Sequence, residues 1–289
     1  MRPMQPAPSP PQEQRRRGPG IGLALALEFL TTLPVRRRRA AGSPEAPDMA
    51  RALPWFPLVG ALLGLALLVL DWALSFVFPL GIRAVALLAF DALVTGLLHL
   101  DGFVDCCDAL LGTRTVEQRL AILRDSRIGA YGALGGALLM LARFAALTAL
   151  VGPSRVLALL VAPIIGRWGM VYAVTRYRYA RESGAGAPFR SRGAIHLILA
   201  SGSLLILLAG VSFAVGSSLR MSMAAAFILT EALLLAALLV LFAWLAWASR
   251  RLSGGLTGDT YGAACVLLEL TVFVLAPPLA GLAMRLVGG

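Results

Sequence analysis

The chain has 289 residues, 58% of them hydrophobic, and a net charge of +11; its mean hydropathy is +0.80. This composition excludes an ordinary water-soluble domain, in which about half the residues are apolar. All 26 basic residues are arginines. They sit between apolar runs, so the positive-inside rule explains them before nucleic acid does, and no nucleic-acid partner is expected.

Residues 1–19 are rich in Pro, Gln and Arg and read as a disordered tail. Residues 20–289 read as a single membrane-embedded catalytic domain. Residues 21–33 resemble a signal peptide, but Glu28 interrupts the apolar stretch and Arg36–Arg39 follow where small residues would mark cleavage. The stretch is short for a span, which favours an interfacial or half-inserted helix. Seven spans are predicted, at 53–78, 83–100, 129–151, 155–176, 194–216, 223–248 and 261–287. The predicted fold is therefore an all-α polytopic helical bundle of about seven transmembrane helices plus the short N-terminal helix. Short loops alternate with longer arginine-rich ones, and the latter are assigned to the cytoplasm.

The second span has no strong breaker between Arg83 and Leu111, which predicts one helix about 43 Å long, protruding into the cytoplasm and ending at a Gly112 C-cap. Thr115 and Gln118 then form a capping box for a short surface helix with Val116, Leu120 and Leu123 on one face. Cys106, Cys107 and Cys265 have no metal-ligand spacing and read as small apolar packers.

Chemistry concentrates in four segments. In His99-Leu-Asp101-Gly-Phe-Val-Asp105-Cys-Cys-Asp108 the carboxylates at i, i+4 and i+7 share a helix face. Their repulsion is relieved by a hard cation, Mg²⁺ or Mn²⁺; the bland reading is a solvated acidic helix end. His99 stands close enough to act as a base, or is merely hydrogen-bonded at the interface. Arg124-Asp125-Ser126-Arg127 pairs two candidate phosphate ligands with a further metal or hydroxyl contact at Asp125, or is an interfacial ion pair. Arg176, Arg178 and Arg181 alternate with aromatics, as phosphate ligands or as an interface belt. Thr257 and Asp259 lie in a glycine-rich loop leading into a helix N-terminus, an anion cradle or a simple N-cap. Charges inside spans are costly. Arg167 and Glu269 read as the floor of a cavity open to the cytoplasm. Asp71, Asp91, Arg143 and Glu231 read as structural pairs without identified partners, and His196 receives no role.

These segments, in order, resemble the cobalamin synthase family, the adenosylcobinamide-GDP ribazoletransferases. The resemblance starts at Phe29-Leu-Thr-Thr-Leu-Pro-Val35 and Trp55-Phe-Pro-Leu-Val-Gly60. Its most specific part is His99 to Asp108 followed by Arg124-Asp-Ser-Arg-Ile-Gly129, and it continues through Arg167, Arg176 to Glu182, Gly254 to Asp259 and Glu269. Phe103 and Cys106–Cys107 depart from the expected pattern. The resemblance implies transfer of the cobinamide-phosphate moiety of adenosylcobinamide-GDP to α-ribazole or its 5′-phosphate, with release of GMP, at the bacterial inner membrane. The expected metal ligands are Asp101, Asp105, Asp108 and Asp125, with His99, Asp101 and Asp105 catalytic. Arg124, Arg127, Arg167, Arg176, Arg178 and Arg181 are expected to hold phosphates, and Thr257, Asp259 and Glu269 to line the cavity. A homo-oligomer, or association with other cobamide-assembly enzymes, stays open. The alternatives are a CDP-alcohol phosphotransferase, whose usual aspartate spacing is absent, and a secondary transporter, for which no internal repeat is found.

Overall fold

The computed structural model describes residues 21–35, 49–181, 189, 193–218 and 221–288. The expected tail at 1–19, Arg36–Arg39 and Glu182 lie outside them. In chain order the helices are α1 (Ile21–Leu30), α2 (Phe56–Ser75, entered through a 3-10 turn at Leu53–Trp55), α3 (Leu80–Thr95), α4 (Leu98–Leu110), α5 (Val116–Ile122), α6 (Ala130–Ala149), α7 (Gly152–Arg176), α8 (Ala194–Ser218), α9 (Met223–Arg251) and α10 (Gly258–Gly288). Six helices are long and apolar enough to cross a membrane, and α3 with α4 would make a seventh as one broken span. The protein is a multi-pass membrane protein. Leu93, Ile206 and Val69, exposed at 74%, 74% and 55%, stand on its outer surface, where lipid rather than water is the solvent.

α7 is the central column: 83% of its apolar stretch is buried, against 28% for α6 and for α8. α2 lies directly on it, because Gly60 and Gly64 present no side chain. A Cβ at Gly60 would fall 2.3 Å from the Pro163 carbonyl oxygen, so only glycine permits this approach. α1 spans ten residues, about 15 Å or half the hydrocarbon thickness. It packs Leu25, Ala26 and Leu30 inward and stacks Phe29 on Phe56 with ring centroids 5.9 Å apart.

The long helix predicted from Arg83 to Leu111 does not form. α3 and α4 meet at 92°. Gly96 and Leu97 both take φ of 61°, the left-handed conformation that stops a helix. The carbonyls freed by the stop are taken up by the segment after α1. Thr32 donates its N–H to the Val94 carbonyl at 2.7 Å and its hydroxyl to that of Leu93 at 3.2 Å. Nor is Gly112 a left-handed cap, since it is not among the residues with positive φ. α4 instead ends on arginines: Arg114 donates to the Asp108 carbonyl and Arg251 to that of Leu110 at 3.0 Å. The capping box of α5 forms as the sequence predicts, Thr115 N–H donating to the Gln118 side chain at 3.0 Å.

Charges inside the bundle are paired. Asp71 on α2 accepts from Arg83 of α3 at 2.9 Å and from Arg155 of α7 at 2.6 and 2.8 Å, tying three helices. Deeper, Arg143 bridges Asp91 at 3.1 Å and Glu269 at 2.7 Å, while Arg167 pairs with Glu269 and lies 4.0 Å from Asp91. Two acids and two cations cancel, which is how such charges survive in a low dielectric. Glu231 is exposed on α9, and no ion pair involves it among the described residues. Cys106, Cys107 and Cys265 are buried free thiols.

Candidate active site

The loops that follow α4, α7 and α9 gather at one end of the bundle. Two short parallel strands, Arg178–Tyr179 and Gly255–Leu256, pair there. Because of the bend, α4 does not protrude from this end but lies across the first turns of α6 and α10. A Cβ on Gly102 would fall 2.8 Å from the Asp259 carbonyl oxygen, and one on Gly132 would fall 2.2 Å from Asp108 Oδ2. The helix carrying the carboxylates is thus pinned between two helix N-termini.

This placement divides the three expected ligands. Asp108 is buried, and its carboxylate accepts the backbone N–H of Gly129 at 2.7 Å and that of Gly132 at 2.8 Å. It caps α6, where the helix dipole favours an anion. Asp101 is exposed and Asp105 half-buried, with Asp101, Asp259 and Asp108 all acting electrostatically on Asp105. Asp259 takes the place expected of Asp108: it accepts from Arg181 at 3.0 Å and from the Thr257 hydroxyl at 3.2 Å. Arg181 also donates to the Leu123 carbonyl at 2.9 Å, strapping α5 to the site.

Asp125 is not part of this cluster. It is bound by Arg127 at 2.7 Å in the loop before α6, and these hydrogen bonds hold its carboxyl below the usual range. No group of three His, Cys, Asp or Glu side chains converges as a metal cage among the described residues. Asp101 and Asp259 line one cavity, with Asp105 within electrostatic range of both, and two oxygen donors of this kind suit Mg²⁺ nonetheless. That ion is commonly held by one or two carboxylates and completed by water and substrate phosphates.

The expected phosphate ligands also separate. Arg124, Arg127, Arg176 and Arg178 are exposed at the site end, although Arg178 donates to the Ser253 carbonyl. Arg167 is 1% exposed and committed to Glu269, so neither lines an open cavity. Thr257 is fully buried and exchanges hydrogen bonds with Thr260 at the start of α10. Of the three expected cavity residues, Asp259 lines the cavity that also holds Asp101, Glu269 borders only a much smaller one, and Thr257 lines neither. The first of these, about 60 Å³, is lined by His99, Asp101, Asp259, Tyr261 and the aromatic pair Phe29 and Phe56 among others. His99 is buried, and its Nε2 has no hydrogen-bond partner among the described residues. It also borders a smaller cavity of about 10 Å³ with Asp91, Arg143 and Glu269. Two larger grooves, about 540 and 490 Å³, are mostly apolar and lie apart from the carboxylates.

Sequence reasoning missed the arginine caps Arg114 and Arg251 and the glycine amides that hold Asp108. The run Gly129-x-x-Gly132-x-x-Gly135 was the available signal, since glycine at helical spacing marks a face approached closely by another element.

A family model described as cobalamin-5-phosphate synthase matches residues 22–276. The chain belongs to that family. Among its relatives, the adenosylcobinamide-GDP ribazoletransferase of Pseudomonas fluorescens is 37% identical over 250 residues, covering 86% of this chain and 95% of its own. The enzyme of the same name from Desulfitobacterium hafniense is 37% identical over 258 residues, with 88% and 95% covered. That from Synechococcus elongatus is 35% identical over 249 residues, with 85% and 92% covered. No solved structure matches. The carboxylate-rich segment, the exposed arginines and the glycine loop of this chain meet at one end of the bundle.

Proposed function

We propose that this protein is an adenosylcobinamide-GDP ribazoletransferase, a membrane transferase of the late nucleotide-loop step of vitamin B12 assembly. The observation that carries this reading is the cavity shared by Asp101 and Asp259, with Arg181 paired to Asp259 and several exposed arginines nearby, at one end of a chain whose relatives bear that name. A hydroxyl of the α-ribazole ribose (or of its 5′-phosphate) forms a bond to the phosphorus carrying cobinamide. The bond from that phosphorus to the bridging oxygen breaks, and GMP leaves with the bridging oxygen.

The hydroxyl proton passes to His99 Nε2 or to a carboxylate of Asp101 or Asp105. His99 suits the role because its Nε2 is unengaged by protein and borders the cavity that Asp101 lines. Arg124, Arg127, Arg176 and Arg178 attract the anionic substrate to the site, and Arg181 orients Asp259. Mg²⁺, or Mn²⁺ in its place, held by Asp101 and Asp105 with Asp259 nearby, would neutralise diphosphate oxygens during transfer. The apolar walls from Phe29, Phe56 and Tyr261 keep water from competing with the ribose hydroxyl. We place the protein in the bacterial inner membrane with this end in the cytoplasm, because the arginine-rich loops lie at it.

The test is reconstitution of the full chain in vesicles with adenosylcobinamide-GDP and α-ribazole, with and without EDTA. Cobamide and GMP are expected in equal amounts, with both lost on chelation and regained with Mg²⁺. Asp105→Ala is expected to lower turnover at least 100-fold. Near wild-type turnover of Asp101→Ala and Asp105→Ala in Mg²⁺ would remove the carboxylates from the mechanism.

A further inference from the structure

Three guanidinium groups converge where the C-termini of α4 and α9 meet, with no carboxylate among them. Arg114 donates to the Asp108 carbonyl, Arg251 to that of Leu110 at 3.0 Å, and Arg119 of α5 to that of Arg251 at 3.1 Å. Arg119 lies within electrostatic range of the other two. No ion pair involves any of the three among the described residues. The nearest acid along α4, Asp108, has turned its carboxylate to the amides of α6. A helix C-terminus offers the equivalent of about half a negative charge. The two C-termini of α4 and α9 offset about one of the three full positive charges, and roughly two remain uncompensated. The Nε of Arg119 is buried without a hydrogen-bond partner, so the cluster also keeps an unused donor. Capping explains where the backbone hydrogen bonds go; it does not explain why all three donors are cations, since neutral donors close a helix end as well.

We infer that Arg114, Arg119 and Arg251 form an anion site that takes a phosphate group. A phosphate is the ligand such a set fits: doubly charged, with several acceptor oxygens for forked donors. Two features place the site beside the carboxylates. From Arg119 to Leu123 is four residues of α5, about 6 Å. The Leu123 carbonyl is held by Arg181, which in turn holds Asp259. Arg251 is further fixed by lying 5.2 Å over the Trp247 ring. The cluster therefore sits one short helix away from the proposed metal site, on the same end of the bundle. There it would hold the phosphate that departs with the nucleoside. That last assignment rests on the transferase reading; the anion site itself rests on the three arginines. The same chemistry is offered by a phospholipid headgroup, and the experiment separates the two sources.

The full chain is placed in zwitterionic nanodiscs with EDTA, so that no divalent ion mediates binding, and titrated with GMP and with inorganic pyrophosphate. Arg119→Gln keeps an N–H donor for the Arg251 carbonyl but removes the charge. It is expected to weaken binding of both anions about tenfold and to flatten its salt dependence, with Arg119→Lys recovering part of the loss. Thermal unfolding of the variants checks that the fold is retained, and Arg114→Gln provides the same reading should Arg119→Gln not fold. In a parallel arm, phosphatidylglycerol retained through purification is quantified. An Arg119-dependent loss of that lipid, with GMP binding unchanged, keeps the phosphate site and makes the headgroup its source. Wild-type binding of GMP, pyrophosphate and lipid by the variants overturns the site. A chain that forms no cobamide yet binds pyrophosphate through Arg119 keeps the site and loses the transferase reading. An active enzyme whose Arg119→Gln and Arg114→Gln variants bind all three like the wild type does the reverse.

Discussion

The Asp108 carboxylate accepts the backbone N–H of Gly132 at 2.8 Å. With the second bond from Gly129, this makes Asp108 a stability residue, whereas Asp105, one turn away, faces the site. Asp108→Ala leaves the buried Gly132 amide at the start of α6 unsatisfied, and the more exposed Gly129 amide without its partner, and is expected to cost about 1–3 kcal/mol. Asp105→Ala is expected to leave the melting temperature in detergent within a degree or two while abolishing turnover. Thermal unfolding and activity measured on both variants separate the roles; equal stability losses would erase the distinction.

The same contact makes Gly132 irreplaceable. A methyl there would overlap Asp108 Oδ2, while a Cβ on Gly202 of α8 meets nothing within 4 Å. Gly132→Ala is expected to destabilise by about 1–3 kcal/mol, displacing Asp108 from its cap. Gly202→Ala is expected to be neutral or to stabilise by up to about 1 kcal/mol through helix propensity. Yields and melting temperatures of the pair check this contrast.

The bend between α3 and α4 depends on a left-handed residue at position 96. Gly96→Ala places a Cβ 2.9 Å from Thr32 Cγ2 and forces an L side chain to φ of 61°. A loss of about 1–2 kcal/mol is expected, with turnover reduced further because α4 would lose its seat across α6 and α10. Wild-type stability and activity together would show that the chain does not need the turn.

Arg167 and Glu269 offer a test of burial against substrate contact. Glu269→Gln alone leaves Arg143 and Arg167 with Asp91 as their one acid, one buried positive charge uncompensated, with an expected cost of about 3–5 kcal/mol. The double change Arg167→Met with Glu269→Met leaves Arg143 facing Asp91, a balanced pair, and is expected to recover most of that loss. Recovered stability with retained GMP release would establish a structural role. Recovered stability with no transfer would return Arg167 to the substrate.

Much of the site was legible residue by residue. Asp101 and Asp105 share a face because a helix places i and i+4 together, and the capping box of Thr115 needs only its own next three residues. The same local rule misled at Asp108, since helical spacing says which face a carboxylate occupies but not which backbone amides wait there. Arg167 and Glu269 were read as a cavity floor because the sequence does not reveal that Arg143 and Asp91 stand beside them.

By itself, the sequence determined six of the seven spans, the short first helix, the charge asymmetry of the loops and the family, because hydropathy over about 20 residues and motif order are local properties of the chain. Only the tertiary structure decided that α4 turns through 92°, that Asp108 binds amides and that Arg181 pairs with Asp259. The reason is physical: a helix stops where its freed carbonyls find other donors. Here the donor is Thr32, 61 residues away from the Leu93 carbonyl that it satisfies.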